Sequence, residues 1–291
     1  MFEKMVEAEW RLLELSSGDP VEQTALDEVI VHQVGLGKSP PTVRFWRVNR
    51  PTISVGKHQD LYADVDVERA RRNDISIVRR PSAGGSDYLS PNDLCYSVII
   101  PAHMLGHDRL MLQKNYKFVY NKIERALKEL GIQARFEKPC NIMTGTRKIG
   151  NMAQFTPSGV VLVHGKIRYE LQMEQTLGHF TCVECTDKHS LLVHQENFAE
   201  AMTCVSEQGA SPDHLYDTLR FQLLKDLKYS AGNITPEEKQ LLADKSAAYK
   251  DTSWLEGRDF TVKREGFCDE HLNGIPIIKI YKPQQKIFKE Q

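Results

Sequence analysis

Strand-like and helix-like stretches follow one another along this chain without the regular β-α-β alternation that builds a doubly wound parallel sheet. That irregular order points to an α+β domain. The first helix has a full start signal: Asp19 as N-cap, Pro20 at the first helical position and Glu22 three residues after the cap. Ala25, Leu26, Val29, Ile30 and Val34 then recur at helical spacing until Gly35 or Gly37 ends the run. Residues 42–46 and 52–55 read as strands around the turn Asn49-Arg50-Pro51. A short helix at 66–72 leads to a strand at 75–78, and a glycine-containing loop, 81–87, precedes the apolar strand 95–100. Helix 114–130 places Phe118, Val119, Ile123, Leu127 and Leu130 on one face. Three strands follow, at 142–144, 147–153 and 159–163, the last running on through Leu171. Helices dominate from about His189 to Leu227, and Thr235-Pro236-Glu237-Glu238 opens another with the same cap pattern. The tail from Phe260 onward reads as strands, with 275–278 the strongest. A boundary near Gly257 therefore divides the chain into residues 1–257 and a strand-rich extension, 258–291.

A chain of 291 residues can bury a large core, and 41% hydrophobic with 26% charged residues is the composition of a soluble globular enzyme. Thirty-eight basic residues oppose 39 acidic ones, which argues against a broad nucleic-acid footprint. The N-terminus, Met1-Phe2-Glu3-Lys4 followed by Glu7-Ala8-Glu9, has no apolar signal-peptide core. No stretch approaches the ~18 apolar residues of a membrane-spanning helix. Six dispersed cysteines suit a reducing compartment. The expectation is a cytoplasmic protein that acts on neither membranes nor nucleic acids.

Three segments carry residues of chemical interest. In Arg79-Arg80-Pro81-Ser82-Ala83-Gly84-Gly85-Ser86-Asp87-Tyr88, two arginines end a strand and a small-residue loop follows. Such a loop lets backbone N–H groups approach a phosphate or carboxylate while the arginines add charge-assisted donors. The plain alternative is an ordinary turn with two solvated arginines. In Arg147-Lys148-Ile149-Gly150-Asn151-Met152-Ala153-Gln154, small neighbours confine a lysine that could polarise a carbonyl or neutralise a phosphate. A lysine on an exposed edge strand is the commoner case. The third segment, residues 159–165, is a valine-rich strand that ends in His164-Gly165, where a structural histidine is the commoner finding.

The order of these segments resembles the lipoate–protein ligase and octanoyltransferase family. Ala25-Leu26-Asp27-Glu28, residues 41–46, Pro51 through Gly56 with Gln59, and Lys245 to Trp254 agree with it, so the resemblance spans roughly residues 9–257. It implies a mixed, largely antiparallel sheet flanked by helices, as in the biotin- and lipoate-ligase catalytic domain. It further implies attachment of a lipoyl or octanoyl group to a lysine of a lipoyl carrier domain, either by ATP- and Mg-dependent ligation through lipoyl-AMP or by transfer. By the same resemblance Arg79, Arg80, Ser82, Gly84, Gly85, Ser86, Asp87, Tyr88 and Lys148 would hold the nucleotide or acyl-adenylate, and His164 and Gly165 the acyl chain. ATP-dependent ligation is the first expectation. The ligase's accessory C-terminal domain is absent or reduced to 258–291, which would suit a separate accessory subunit or an octanoyltransferase.

The chain departs from the family pattern at several places. The family loop has three glycines, a small residue, valine, an aromatic, histidine and aspartate. Here Ala83, Asp87, Leu89 and Ser90 intrude, Asn151 takes a glycine position, and Lys166, Arg168 and Glu170 replace small and apolar residues. Asp87 would repel ATP phosphates or help hold a metal. The altered loop also admits a non-catalytic carrier-binding relative. Transferases of this family use a cysteine in the loop before the lysine strand, and Cys140 stands eight residues before Lys148, nearer the lysine than in that pattern. It is the nucleophile of a transferase or a small buried thiol. His179, Cys182, Cys185 and His189 form an H-x2-C-x2-C-x3-H cluster that could hold zinc, although four ligands in eleven residues crowd one ion.

Overall fold

The computed structural model describes residues 7–157, 159–172, 178–180, 196–197 and 200–256. In chain order its strands and helices are β1 (Glu9–Gly18), α1 (Pro20–Gly35), β2 (Thr42–Val48), β3 (Thr52–Val55), α2 (Leu61–Asp64), α3 (Val67–Arg72), β4 (Ser76–Arg79), β5 (Asp87–Leu89) and β6 (Leu94–Pro101). Then come α4 (Leu112–Glu129), β7 (Ala134–Glu137), β8 (Asn141–Thr144), β9 (Arg147–Phe155), β10 (Val160–Ile167), α5 (Pro212–Leu224), β11 (Lys228–Ala231), α6 (Pro236–Lys250) and α7 (Thr252–Glu256). An eight-stranded sheet has the order β11-β1-β2-β6-β10-β9-β8-β7, and a small sheet has the order β4-β3-β5. Among the described strands, β1 with β11, β1 with β2, and β3 with β4 pair in parallel, and the other pairs are antiparallel. The sheet is therefore mixed and largely antiparallel, as the resemblance implies. No described helix is long and apolar enough to cross a membrane.

Alternating residues of the central strands feed two cores. Val98, Ile100, Val161 and Val163 pack with Val119, Ile123 and Leu127 of α4 and Leu215 and Leu219 of α5. Ile99, Val160 and Leu162 pack with Val29, Ile30 and Val34 of α1 on the other face. Helix starts follow their signals. The Asp19 carboxylate accepts from the N–H groups of Val21 and Glu22, and Thr235 and Glu238 form a reciprocal capping box.

Three features differ from expectation. Strand β1, an inner strand of the large sheet next to its edge strand β11, escapes a pattern search because Trp10, Arg11, Leu12 and Leu13 are buried in succession. A strand covered on both faces loses the two-residue alternation that marks a half-exposed one. Strands β2 and β3 do not pair around Asn49-Arg50-Pro51, since that turn carries the chain from the large sheet to the small one. Strand β10 ends at Ile167, short of Leu171. Much of the helical stretch expected after His189, and the strands expected from Phe260 onward, fall outside the described residues.

Burying Arg11 in β1 requires a partner, which α6 supplies. Its guanidinium donates to both carboxylate oxygens of Glu238 at 2.7 Å, and Ser39 donates to the same carboxylate at 2.8 Å. Burial opposes the charge of Glu238, but the hydrogen bonds from Arg11, the Thr235 N–H and Ser39 hold its pKa below the ordinary glutamate value. The pair's contribution to stability is thus complete above the unfolded glutamate pKa and is lost as pH falls through the lower folded one. Glu238→Ala should lower unfolding free energy by about 3–5 kcal/mol, the usual effect of stranding one buried partner. Urea melts at neutral and acidic pH should show that loss at neutral pH and a smaller difference in acid.

Candidate active site

Two neighbouring strands bring Cys140 and Lys148 together. Cys140 precedes β8, and its carbonyl accepts from the Met152 N–H of β9 at 2.9 Å. Lys148 lies earlier on β9, opposite Met143, beside a register shift between Ile142 and Met143. The lysine backbone is pinned on its other side: its N–H donates to Ala201 at 2.7 Å, and its carbonyl accepts from the Thr203 N–H and the Arg168 guanidinium, both at 3.0 Å. Burial lowers the pKa of the Lys148 ammonium, against the attraction of Asp87. Burial raises the Cys140 thiol, while Lys148 and Arg80 pull it the other way. Cys140, Lys148, Arg80 and Asp87 therefore share one electrostatic site, although they lie up to 68 residues apart in sequence.

The loop after the double arginine is shaped by the arginines themselves. Arg80 donates to the Ser82 hydroxyl (3.1 Å) and to the carbonyls of Ser54 (2.9 Å), Ala83 (3.1 Å) and Gly85 (2.8 Å), with a longer contact to the Ser54 hydroxyl. A guanidinium has five N–H donors, so this set engages all of them. Arg80, expected at a phosphate, holds the loop instead, and a phosphate would have to displace these bonds. Arg79 is buried and donates to the carbonyls of Gly56, Gln59 and Leu255, while its own carbonyl accepts from the Trp254 indole. Trp254 stacks on Tyr249 at 4.8 Å, and Tyr249 bonds Glu28 of α1. The Lys245 to Trp254 segment thus serves as a clamp on the arginine strand. Ser86 donates to Gln59 at 3.0 Å. Tyr88 belongs to the core of the small sheet rather than to a ligand surface.

Behind the loop runs a buried relay. His164 Nδ1 lies 2.9 Å from Asp27, and its Nε2 lies 2.7 Å from the Ser82 hydroxyl. Facing a carboxylate, Nδ1 donates to Asp27, and Nε2 and the Ser82 hydroxyl share the second bond. Asp27 also accepts from Arg44 at 2.7 Å and from Ser97 at 2.8 Å. Burial opposes its charge, but Arg44 and His164 prevail and keep it below the usual carboxylate range. His164, expected along the acyl chain, is thereby tied between sheet and loop. Gly165 sits where an added Cβ would lie 2.0 Å from the Asn151 carbonyl.

The departures from the family pattern collect in one place. Asp87 lies 3.2 Å from Lys166 and accepts from Asn151 at 2.8 Å. Lys166 in turn pairs with Asp93 at 3.0 Å and donates to the Tyr88 carbonyl. Burial would raise the Asp87 carboxyl, but Lys166, Lys148, Arg168 and the Asn151 hydrogen bond outweigh it and hold the pKa at about 2. Arg168 also reaches the Thr203 carbonyl, and Glu170 accepts from Asn92 at 2.6 Å. Asp93 and the link between these groups were missed in the sequence. The available signal was a lysine near the end of a largely apolar strand and an arginine just past that end. No metal site was expected, and of the four residues that could crowd around a zinc ion, His179 is buried and bonded to Asn73, while Cys182, Cys185 and His189 lie outside the described residues.

Two glycines fix the loop's approach to β3. A Cβ on Gly56 would lie 2.0 Å from the Gly84 carbonyl, and Gly84 itself has φ +105°, whereas a Cβ on Gly85 would meet nothing within 4 Å. Gly56→Ala should therefore displace the loop and lower turnover on the order of 100-fold, the scale of a 1 Å misplacement. Gly85→Ala should stay within a few-fold of the parent in the same assay. Equal activities for the two variants would overturn this view of the loop.

Comparison with known proteins places this geometry. Residues 19–219 match the model of the lipoyl protein ligase A/B catalytic domain. The chain is 28% identical to octanoyltransferase LipM of Moorella thermoacetica over 275 residues, 86% of this chain and 98% of that protein. It is 30% identical to octanoyltransferase LipM of an Exiguobacterium species over 234 residues, 72% and 79% of the two chains. Among solved structures, the bipartite lipoate protein ligase of Thermoplasma acidophilum superposes with a TM-score of 0.76 at 21% identity, covering 86% of this chain and 97% of that one.

Proposed function

The chain belongs to the lipoyl protein ligase A/B catalytic domain family and is an enzyme of the acyl ligase/transferase type; from that premise we propose that it transfers an octanoyl or lipoyl group through Cys140 to a lysine of a lipoyl carrier domain. The observation that carries this reading is that the half-buried Cys140, held to β9 through its carbonyl, lies in the field of two cations, Lys148 and Arg80, which favour its thiolate against burial. Two relatives named octanoyltransferases, one matched over 98% of its length, support it. An ATP-dependent route, the first expectation from sequence, fits the loop less well. A triphosphate would meet the ionised Asp87 and an Arg80 whose donors are already engaged.

In the first step the Cys140 thiolate attacks the carbonyl of an acyl thioester on a donor carrier. The tetrahedral oxyanion collapses, the donor's thiolate leaves and takes up a proton, and the acyl group remains on Cys140. In the second step the amine of the acceptor lysine attacks this new thioester. The amide forms, Cys140 leaves as thiolate, and the proton lost by the amine returns to it. Lys148 favours the thiolate and then offsets the oxyanion charge in both steps.

Incubation with an octanoyl-carrier and no acceptor should leave an acyl adduct on Cys140 that hydroxylamine removes, and Cys140→Ala should lose adduct and turnover together. Lys148→Ala should keep the parent's melting temperature and lose about 100- to 1000-fold in kcat, as when one oxyanion donor is removed. Acylation from free lipoate that requires ATP and survives Cys140→Ala would replace transfer by ligation.

A further inference from the structure

The charged groups around Asp87 have no part in the reaction as derived so far. Asp87 on β5 and Lys166 on β10 pair at 3.2 Å, Lys166 also reaches Asp93 at 3.0 Å, and Asn151 on β9 donates to Asp87 at 2.8 Å. Lys166 is 2% exposed and Asp93 1% exposed. Taking such charges out of water is costly, and well-packed apolar side chains usually serve stability as well or better. The family pattern at the positions of Asp87, Lys166 and Arg168 is small or apolar, so the fold itself does not call for charge there.

What sets these groups apart is their neighbour. Asn151, which holds Asp87, is flanked on β9 by Met152, whose N–H bonds the Cys140 carbonyl. Lys148 stands three residues before Asn151 on the same strand, and its carbonyl is held by Arg168. We propose that the Asp87–Lys166 pair is a positioning device for acyl transfer: it fixes the charge that the Cys140–Lys148 couple experiences. This rests on the reading of Cys140 as the acyl-carrying nucleophile.

The direction of the effect follows from electrostatics. A thiol and an ammonium that feel each other's charge release their protons in two steps that belong to the couple. The Asp87 carboxylate disfavours the thiolate and favours the ammonium, so it moves both steps to higher pH. Lys166 opposes it in both. The other charged or titratable groups facing the couple are Arg80 from the arginine loop, Arg168 beyond β10, and Tyr116 and Tyr96 from α4 and β6. Arg80 also feels Asp87, but as a guanidinium it stays charged when Asp87 or Lys166 is exchanged.

The test is the pH dependence of Cys140 alkylation by iodoacetamide, followed on the Cys140 peptide by mass spectrometry, which needs no acyl substrate. Asp87→Asn should shift the profile by about one pH unit toward acid, and Lys166→Met by a similar amount toward alkali. Lys166→Arg, which keeps the charge, should restore the parent profile. General damage would move both variants the same way, so opposite shifts support the proposal. Shifts of like sign, or none, overturn it. Asp87→Asn is close to isosteric and decides the question by itself if Lys166→Met fails to fold. Opposite shifts in a protein that forms no Cys140 thioester would leave the ion-pair role standing and remove the transferase reading. Unshifted profiles with a normal thioester would do the reverse.

Discussion

One buried carboxylate, Asp27, ties the first helix to three strands of the main sheet at once. It sits on α1 and takes bonds from Arg44 on β2, Ser97 on β6 and His164 on β10. Through His164 it reaches Ser82 and hence the loop after the double arginine. A charge so placed tolerates few alternatives, because removing any one partner leaves another polar group buried without a bond. The main sheet, the first helix and the arginine loop are thus held in a single mutual geometry. The position of Arg80 relative to Cys140 follows from it.

The site itself is a balance between burial and charge. Enclosure raises the Cys140 thiol and lowers the Lys148 amine, and each effect alone would leave a neutral, unreactive pair. Lys148 and Arg80 counter the first effect, and Asp87 counters the second. A cysteine enclosed with two cations is a reasonable nucleophile for a thioester, whose leaving group is itself a thiolate. A loop whose arginine is turned inward onto its own carbonyls is poorly suited to receive a polyphosphate. Relatives that share this fold include proteins described as ligases and proteins described as transferases. The fold accordingly leaves the reaction open, and the side chains on the loop and on β8 to β10 decide it.

Much of the architecture was legible in the sequence because local rules govern it. The helix starts at Asp19 and Thr235 follow from side-chain acceptors placed before prolines, and both form as expected. Strands β6, β8 and β9 have the apolar or small-residue runs that identify them, and the order of arginine loop, lysine strand and His-Gly strand identifies the family. The double arginine was also visible, but not its role: whether a guanidinium points to a ligand or to its own loop depends on carbonyls at Ser54 and Gly56, more than twenty residues away.

By itself, then, the sequence determined the capped helices, most of the strands, the α+β class and the set of residues able to carry acyl chemistry. Each of these depends on neighbours within a few positions along the chain. Only the tertiary structure decided that β1 is an inner strand, that β2 and β3 belong to different sheets, and that Asp27, His164 and Ser82 are linked in one chain of bonds. It also turned the scattered departures at Asp87, Asn151 and Lys166 into a single ion cluster. Those outcomes depend on which strands lie side by side. Pairing across a sheet is set by the burial of whole faces and by the partners a buried charge can reach, and neither is written in local spacing.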